Sequence, residues 1–193
     1  MSSLTLSKGS NLSLTKADPG LRKAMIGLGW DPRSTAGEQF DLDASALLVR
    51  ADGKVRSNDD FIFYNQLSSP DGSIVHQGDN RTGEGEGDDE QILIDLDAVA
   101  ADIAKIVIVV SIDQAEARRQ NFGQVRDAFC RVVNQETDNE VVRYDLTEDA
   151  AAETCMIFAE IYRNGGEWKF RAVGQGYASG LRGVATDFGI ALD

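Results

Sequence analysis

The chain has 193 residues, 42% hydrophobic and 26% charged, with 3 prolines and 19 glycines. That balance excludes fibrous and disordered classes and fits one globular domain over 1–193 that buries roughly 70% of its unfolded surface. The formal net charge of −13, from 32 acidic and 19 basic residues, disfavours direct contact with nucleic acid or anionic lipid. No apolar run reaches the roughly 18 residues of a membrane span, and the opening MSSLTLSKGSN lacks a basic and then apolar leader. The expectation is a cytoplasmic protein without membrane insertion.

In chain order, Ser3–Lys8 and Asn11–Lys16 both alternate leucine with Ser or Thr around Gly9, which predicts a hairpin. Lys23–Trp30 places Ala24, Ile26, Leu28 and Trp30 on one face of a third strand. Gly27 and Gly29 fall on the other, where another backbone or sheet can approach closely. After the turn-rich Asp31–Gln39 comes Phe40-Asp41-Leu42-Asp43 and the apolar run Ala44–Val49. Extended chain sends Phe40, Leu42 and Ala44 to a core and holds Asp41 and Asp43 side by side on the opposite face.

Asp52-Gly53 and Ser69-Pro70-Asp71-Gly72 read as turns, Phe61–Tyr64 and Ile74–His76 as extended pieces. Gln91–Leu96 and Lys105–Ile112 are predicted strands, the second so apolar that both its faces should be buried. Gln114–Gln120 suits a short surface helix, and Val125–Asn134 and Glu140–Leu146 are strands joined by a polar turn. Thr154–Arg163 and Glu167–Val173 flank Asn164-Gly165-Gly166 as a hairpin, and Leu181, Val184, Ala185 and Phe188 have the spacing of a docked amphipathic helix. Regular strands, few helices and no βαβ alternation predict an all-β, antiparallel β-sandwich with short peripheral helices.

The densest chemistry lies in Gly78–Glu90, GDNRTGEGEGDDE, where six acids and four glycines meet a single arginine, a local charge of −5. Such a loop can relieve its repulsion by staying extended in water, or its glycines can let the backbone turn and gather oxygens around a hard cation. Oxygen-only donors suit calcium. Zinc, iron and copper would draw on His or Cys, which the stretch lacks, and magnesium keeps more of its waters. Two divalent ions would take the net charge from −13 to −9.

Other motifs carry less. Counted from Asp79, Arg81 and Gly83 occupy positions where an EF-hand needs oxygen side chains. Gly174-Gln175-Gly176 follows a predicted strand and precedes a predicted helix, as a dinucleotide loop does, but the third glycine, the following strand and the acidic partner of such a loop are absent. His76, the only histidine, has no nucleophile motif beside it. Cys130 and Cys155 lie in separate apolar segments and read as reduced packing residues.

Taken together, GLGWD (27–31), FDLDASA (40–46), NDDFIFYNQ (58–66), GDNRTGEGEGDDE (78–90), ARRQNFGQV (117–125) and FRAVGQGY (170–177) resemble the TerD family along nearly the whole chain. The resemblance implies a cytoplasmic, calcium-binding β-sandwich of bacterial stress and tellurite-resistance systems. It also implies Ca2+ sites built from the DxD strand and the glycine-acid loop. Carried over residue by residue, the metal candidates are Asp41, Asp43, Asp79, Asn80, Glu84, Glu86, Asp88, Asp89 and Glu90, enough for about two ions at six to eight oxygens each. Asp31 and Asp60 are second-rank candidates. The implied role is a non-enzymatic module that presents a surface to other proteins of a resistance and stress assembly, which could include membrane-associated members. The rival reading is a metal-dependent phosphoesterase using the same acids. It is weakened by the lack of basic residues near them other than Arg81. Direct reduction of tellurite by thiols is weaker still, because the cysteines form no CxxC.

Overall fold

The computed structural model describes residues 3–31, 37–79, 81, 87–146 and 152–191. Its strands form two sheets, and nearly every pairing is antiparallel. The strands are β1 (Leu4–Leu6), β2 (Asn11–Ser13), β3 (Lys23–Gly29), β4 (Leu42–Arg50), β5 (Phe61–Ile62) and β6 (Ile74–His76), then β7 (Glu90–Asp95), β8 (Ile103–Ile112), β9 (Phe129–Asn134), β10 (Asn139–Asp145), β11 (Cys155–Asn164) and β12 (Glu167–Tyr177). One sheet runs β1-β10-β9-β3-β7-β6 and the other β2-β12-β11-β8-β4-β5. Among the described residues three short α-helices are added: α1 (Leu14–Ala17), α2 (Ala115–Arg118) and α3 (Gly180–Phe188). Among the described residues no helix is long and apolar enough to cross a membrane.

Alternation decides the layers. From β4 the side chains Leu42, Ala44, Ala46 and Leu48, and from β8 Ile106, Ile108 and Val110, enter the core between the sheets. There they meet Ile26, Leu28, Ile92, Ile94 and Val132. The intervening Leu47, Val49, Val107 and Val109 point the other way and are covered by Val184, Ala185 and Phe188 of α3. This second apolar layer is why KIVIVVSI reads as continuously hydrophobic: both faces of β8 are buried, as its composition predicts. The hairpin between β11 and β12 turns through Gly165 and Gly166 at φ +58° and +82°, left-handed values that glycine takes without strain.

Two expectations need correcting. The alternating segments around Gly9 do not pair with each other: β1 runs parallel to β10 in one sheet, while β2 pairs with β12 in the other. Two three-residue strands have too little shared face to stand as a hairpin, and each gains more by joining a long neighbour. Beyond β2 the extended pattern stops, because the Ser13 hydroxyl accepts from the Lys16 amide and starts α1. Gly174 and Gly176 do not form a strand-to-helix loop either. Both lie inside β12, where an added Cβ would meet the Tyr144 hydroxyl and the Glu153 side chain respectively.

Phe158 joins the layers. Fully buried on β11, its ring packs edge-on against Tyr144 of β10 at 6.0 Å and Phe122 at 6.3 Å between centroids. Phe158→Ala is expected to cost about 3–5 kcal/mol, read as a lower midpoint at unchanged slope in urea unfolding.

Candidate metal centre

Asp41 and Asp43 stand at the start of β4, on the face that carries Leu47 and Val49 farther along. Their backbone is fixed by pairing with β8, Asp43 opposite Ser111, and by the Asp113 amide donating to the Asp41 carbonyl at 2.8 Å. Asp79 arrives from the segment after β6. One carboxylate oxygen from each of Asp41, Asp43 and Asp79 lies within 4.8 Å of the others. They line a cleft of about 440 Å³ together with Tyr64, Asp113 and Arg118.

Two properties mark this cluster. Asp41 is buried, and its Oδ1 has no hydrogen-bond partner among the described residues. An orphaned buried carboxylate oxygen is costly unless a cation completes it. Asp43 is pushed up from 3.8 to about 7, by burial first and then by the charges of Asp41, Asp79 and Asp113, with Arg81 opposing. Asp41 is raised for the same reasons, burial first. Like charges are therefore being held together by the fold at a cost in free energy.

The acids that end the loop are dispersed. Asp88 is nearly fully buried and receives Arg131 Nε at 2.8 Å and Nη2 at 3.0 Å, while Arg131 Nη1 donates to Glu140. It lies directly over Gly27, where an added Cβ would come within 2.2 Å of its carboxylate. Gly29 likewise leaves room for the Phe129 ring. The nearest approach at these glycines is thus made by side chains, a carboxylate and an aromatic ring, where another backbone or sheet was expected. Asp89 accepts from the Trp30 amide at 2.9 Å. Glu90, also buried, accepts from the Ala44 amide beneath the DxD strand. His76 Nδ1 accepts from the Gly78 amide, so Nε2 carries the proton shared with the Ala44 carbonyl at 3.0 Å, and burial lowers its pKa to keep it neutral. Asn80, Glu84 and Glu86 lie outside the described residues.

Asp60 is taken by Arg56, at 2.7 Å from Nη2. Asp31 sits against Asp127, its carboxyl raised by burial and then by that neighbour. Asp113, Arg118 and Tyr64 belong to the cleft but were not singled out from the sequence. The run ARRQ that carries Arg118 signals helix propensity, and nothing local in it points to a site some 75 residues earlier in the chain.

A second cleft, of about 560 Å³, adjoins the first. It shares Asp43 and Tyr64 and is walled by Phe61, Phe63 and Leu181.

Fold and site together define an all-β, two-sheet protein with an oxygen-only acidic cluster at the start of β4. The TerD domain family model matches residues 2–188, and the chain belongs to that family. It is 61% identical over 188 residues to Tellurium resistance protein TerD of Serratia marcescens, covering 97% of this chain and 98% of that one. To General stress protein 16U of Bacillus subtilis (strain 168) it is 54% identical over 190 residues, 98% of each chain. The crystal structure of a homologue of telluride resistance protein TerD from Streptomyces coelicolor A3(2) superposes with a TM-score of 0.69 at 26% identity, covering 86% of this chain and 96% of that one.

Two outcomes follow from the geometry. A carboxyl whose folded pKa lies above its unfolded one lends the fold stability that is complete below pH 3.8 and is lost as pH rises to about 7. Asp43→Asn should therefore flatten that decline in metal-free protein and stabilise it at pH 8 by on the order of 1–2 kcal/mol, measured by thermal melts in chelator. Gly27→Ala should displace Asp88 from Arg131 and destabilise by about 2 kcal/mol or more in denaturant titration.

Proposed function

We propose that this protein is a non-enzymatic calcium-binding module of a bacterial tellurite-resistance and general stress-response system, acting in the cytoplasm. The observation that carries this reading is the convergence of Asp41, Asp43 and Asp79, with Asp41 Oδ1 buried and unpartnered. A hard divalent cation would satisfy that oxygen and neutralise charges that the strand pairing prevents from separating. The three aspartates would hold calcium in part, other oxygens of Gly78–Glu90 would complete its six to eight ligands, and about two ions per chain is the expected loading. When bound, calcium supplies charge and fixed geometry rather than redox chemistry.

Family membership and the printed names of the relatives support the resistance and stress context. A non-enzymatic role is favoured by the state of the candidate reactive groups. His76 is buried, neutral and engaged at both ring nitrogens. Cys130 and Cys155 are buried, in different sheets, and burial pushes both thiols up to about 12, so neither supplies a thiolate to reduce tellurite. Resistance would then act through partner proteins. The cleft beside the cluster, lined by Phe61, Phe63, Leu181 and the nearly half-exposed Tyr64, offers the apolar surface such a partner would use.

The test is a calorimetric calcium titration of chelator-stripped protein, with melts of metal-free and loaded forms. Binding at micromolar or tighter affinity with a raised melting temperature is expected. The double substitution Asp41→Ala, Asp43→Ala should weaken the corresponding site by about 100-fold or more. Unchanged affinity in that variant would refute the assignment of these residues, and absence of binding in the parent protein would refute calcium altogether.

A further inference from the structure

Arg118, the last residue of α2, reaches into the acidic cleft with a side chain only 21% exposed. Its guanidinium is shared among three carboxylates from two segments of the chain: Nε lies 3.3 Å from Glu38 and Nη1 3.9 Å from Asp41 Oδ2, while Nη2 lies 3.3 Å from Asp113. Arg81, the other cation of the cleft, touches Asp79 but is 78% exposed, so water and salt screen it far more strongly.

The placement of Arg118 is built into the local backbone. The one-turn helix α2 is flanked by Gln114 at φ +47° and Arg119 at φ +53°, left-handed values that cost a non-glycine residue free energy and persist only where the surroundings impose them. The surroundings do so through Gln120. Its amide donates to the Ala115 carbonyl, closing the helix, and its side-chain Nε2 donates to the carbonyls of Glu38 and Gln39 at 2.9 and 3.1 Å. The same residue thus ties α2 to the segment that supplies one of Arg118's acids and leads into Asp41.

Asp41 itself does not need Arg118 to hold its position. Its carbonyl is held by the Asp113 amide and the next residue, Leu42, is the first rung of the ladder to β8, and a 3.9 Å separation is a charge contact rather than a hydrogen bond. What the guanidinium supplies at Asp41 is therefore mainly positive charge, on Oδ2, next to the oxygen that has no partner.

Resting on the calcium reading above, we propose that Arg118 is the resident counter-ion of this site, an affinity-setting residue that steadies the metal-free cluster and opposes the incoming divalent cation. It partly neutralises carboxylates that would otherwise repel one another, and for the same reason it lowers the attraction they exert on a second cation. Metal-free stability and metal affinity are traded against each other through one side chain.

The signs separate this role from its alternatives. For Arg118→Gln in full-length protein, with circular dichroism to verify the fold, two opposite shifts are expected at low salt. The chelator-treated form should melt several degrees lower, and calcium titrated by calorimetry should bind about tenfold more tightly, as when one positive charge leaves the wall of a cation site. Arg118→Lys, which keeps the charge but not the three-way reach, should stay within about threefold of the parent affinity. If Arg118→Gln weakens calcium binding, the arginine orients the ligands and the proposal is wrong. If neither property moves, it is a bystander and the proposal is equally wrong. Should Arg118→Gln fail to fold, loss of calcium affinity in Arg118→Lys would overturn the proposal in its place. These failures are distinct from failure of the calcium reading, which would appear as no calcium binding by the parent protein.

Discussion

The ladder between β4 and β8, running from Leu42 opposite Ile112 to Arg50 opposite Ile103, is the constraint on which the rest depends. It is buried on both sides, between the sheets and under α3, so its strands have little freedom to shift. Asp41 and Asp43 extend from the end of this rigid ribbon. Carboxylates on a flexible loop would spread until water screened them, but here relaxation would require breaking strand pairing at the edge of the core. The electrostatic tension at the cluster is thus sustained by hydrophobic packing some distance from it.

The surrounding acids occupy different electrostatic situations despite their closeness in sequence. Asp88, Asp89 and Glu90 are consecutive, yet one is paired with Arg131, one accepts from the backbone at Trp30 and one is buried against the Ala44 amide. Together they fasten the end of the glycine-acid loop to β3 and β4. A ligand set and its attachment can be read as a single acidic motif in sequence, because both tasks call on the same residue types.

Much of the architecture was legible because burial imposes period two on exposed-face strands and unbroken hydrophobicity on β8. The pairing of Asp41 with Asp43 was legible for the same reason, since Phe40, Leu42 and Ala44 fix which way the alternate residues turn. What escaped was information that resides in tertiary approach. Nothing beside Arg118 announces Asp41, and nothing beside Asp88 announces Arg131, because these partners meet only after the sheets assemble. The supposed hairpin at Gly9 failed for a related reason: alternation tells a segment's face but not its neighbour, and the long edges of β10 and β12 outcompete a short local partner.

The fate of those first strands bears on how the sheet edges are protected. β1 aligns Leu4 with Val142, and β2 aligns Leu12 with Phe170, so each of these short strands pairs only with a partner that lies far along the chain. The segment that carries β1 and β2 thereby spans both sheets, and its pairings close loops of well over 100 residues at a large entropic cost. Without β1 and β2 the edges of β10 and β12 would stand open to other chains, so these two short strands also act as covers against edge-to-edge aggregation.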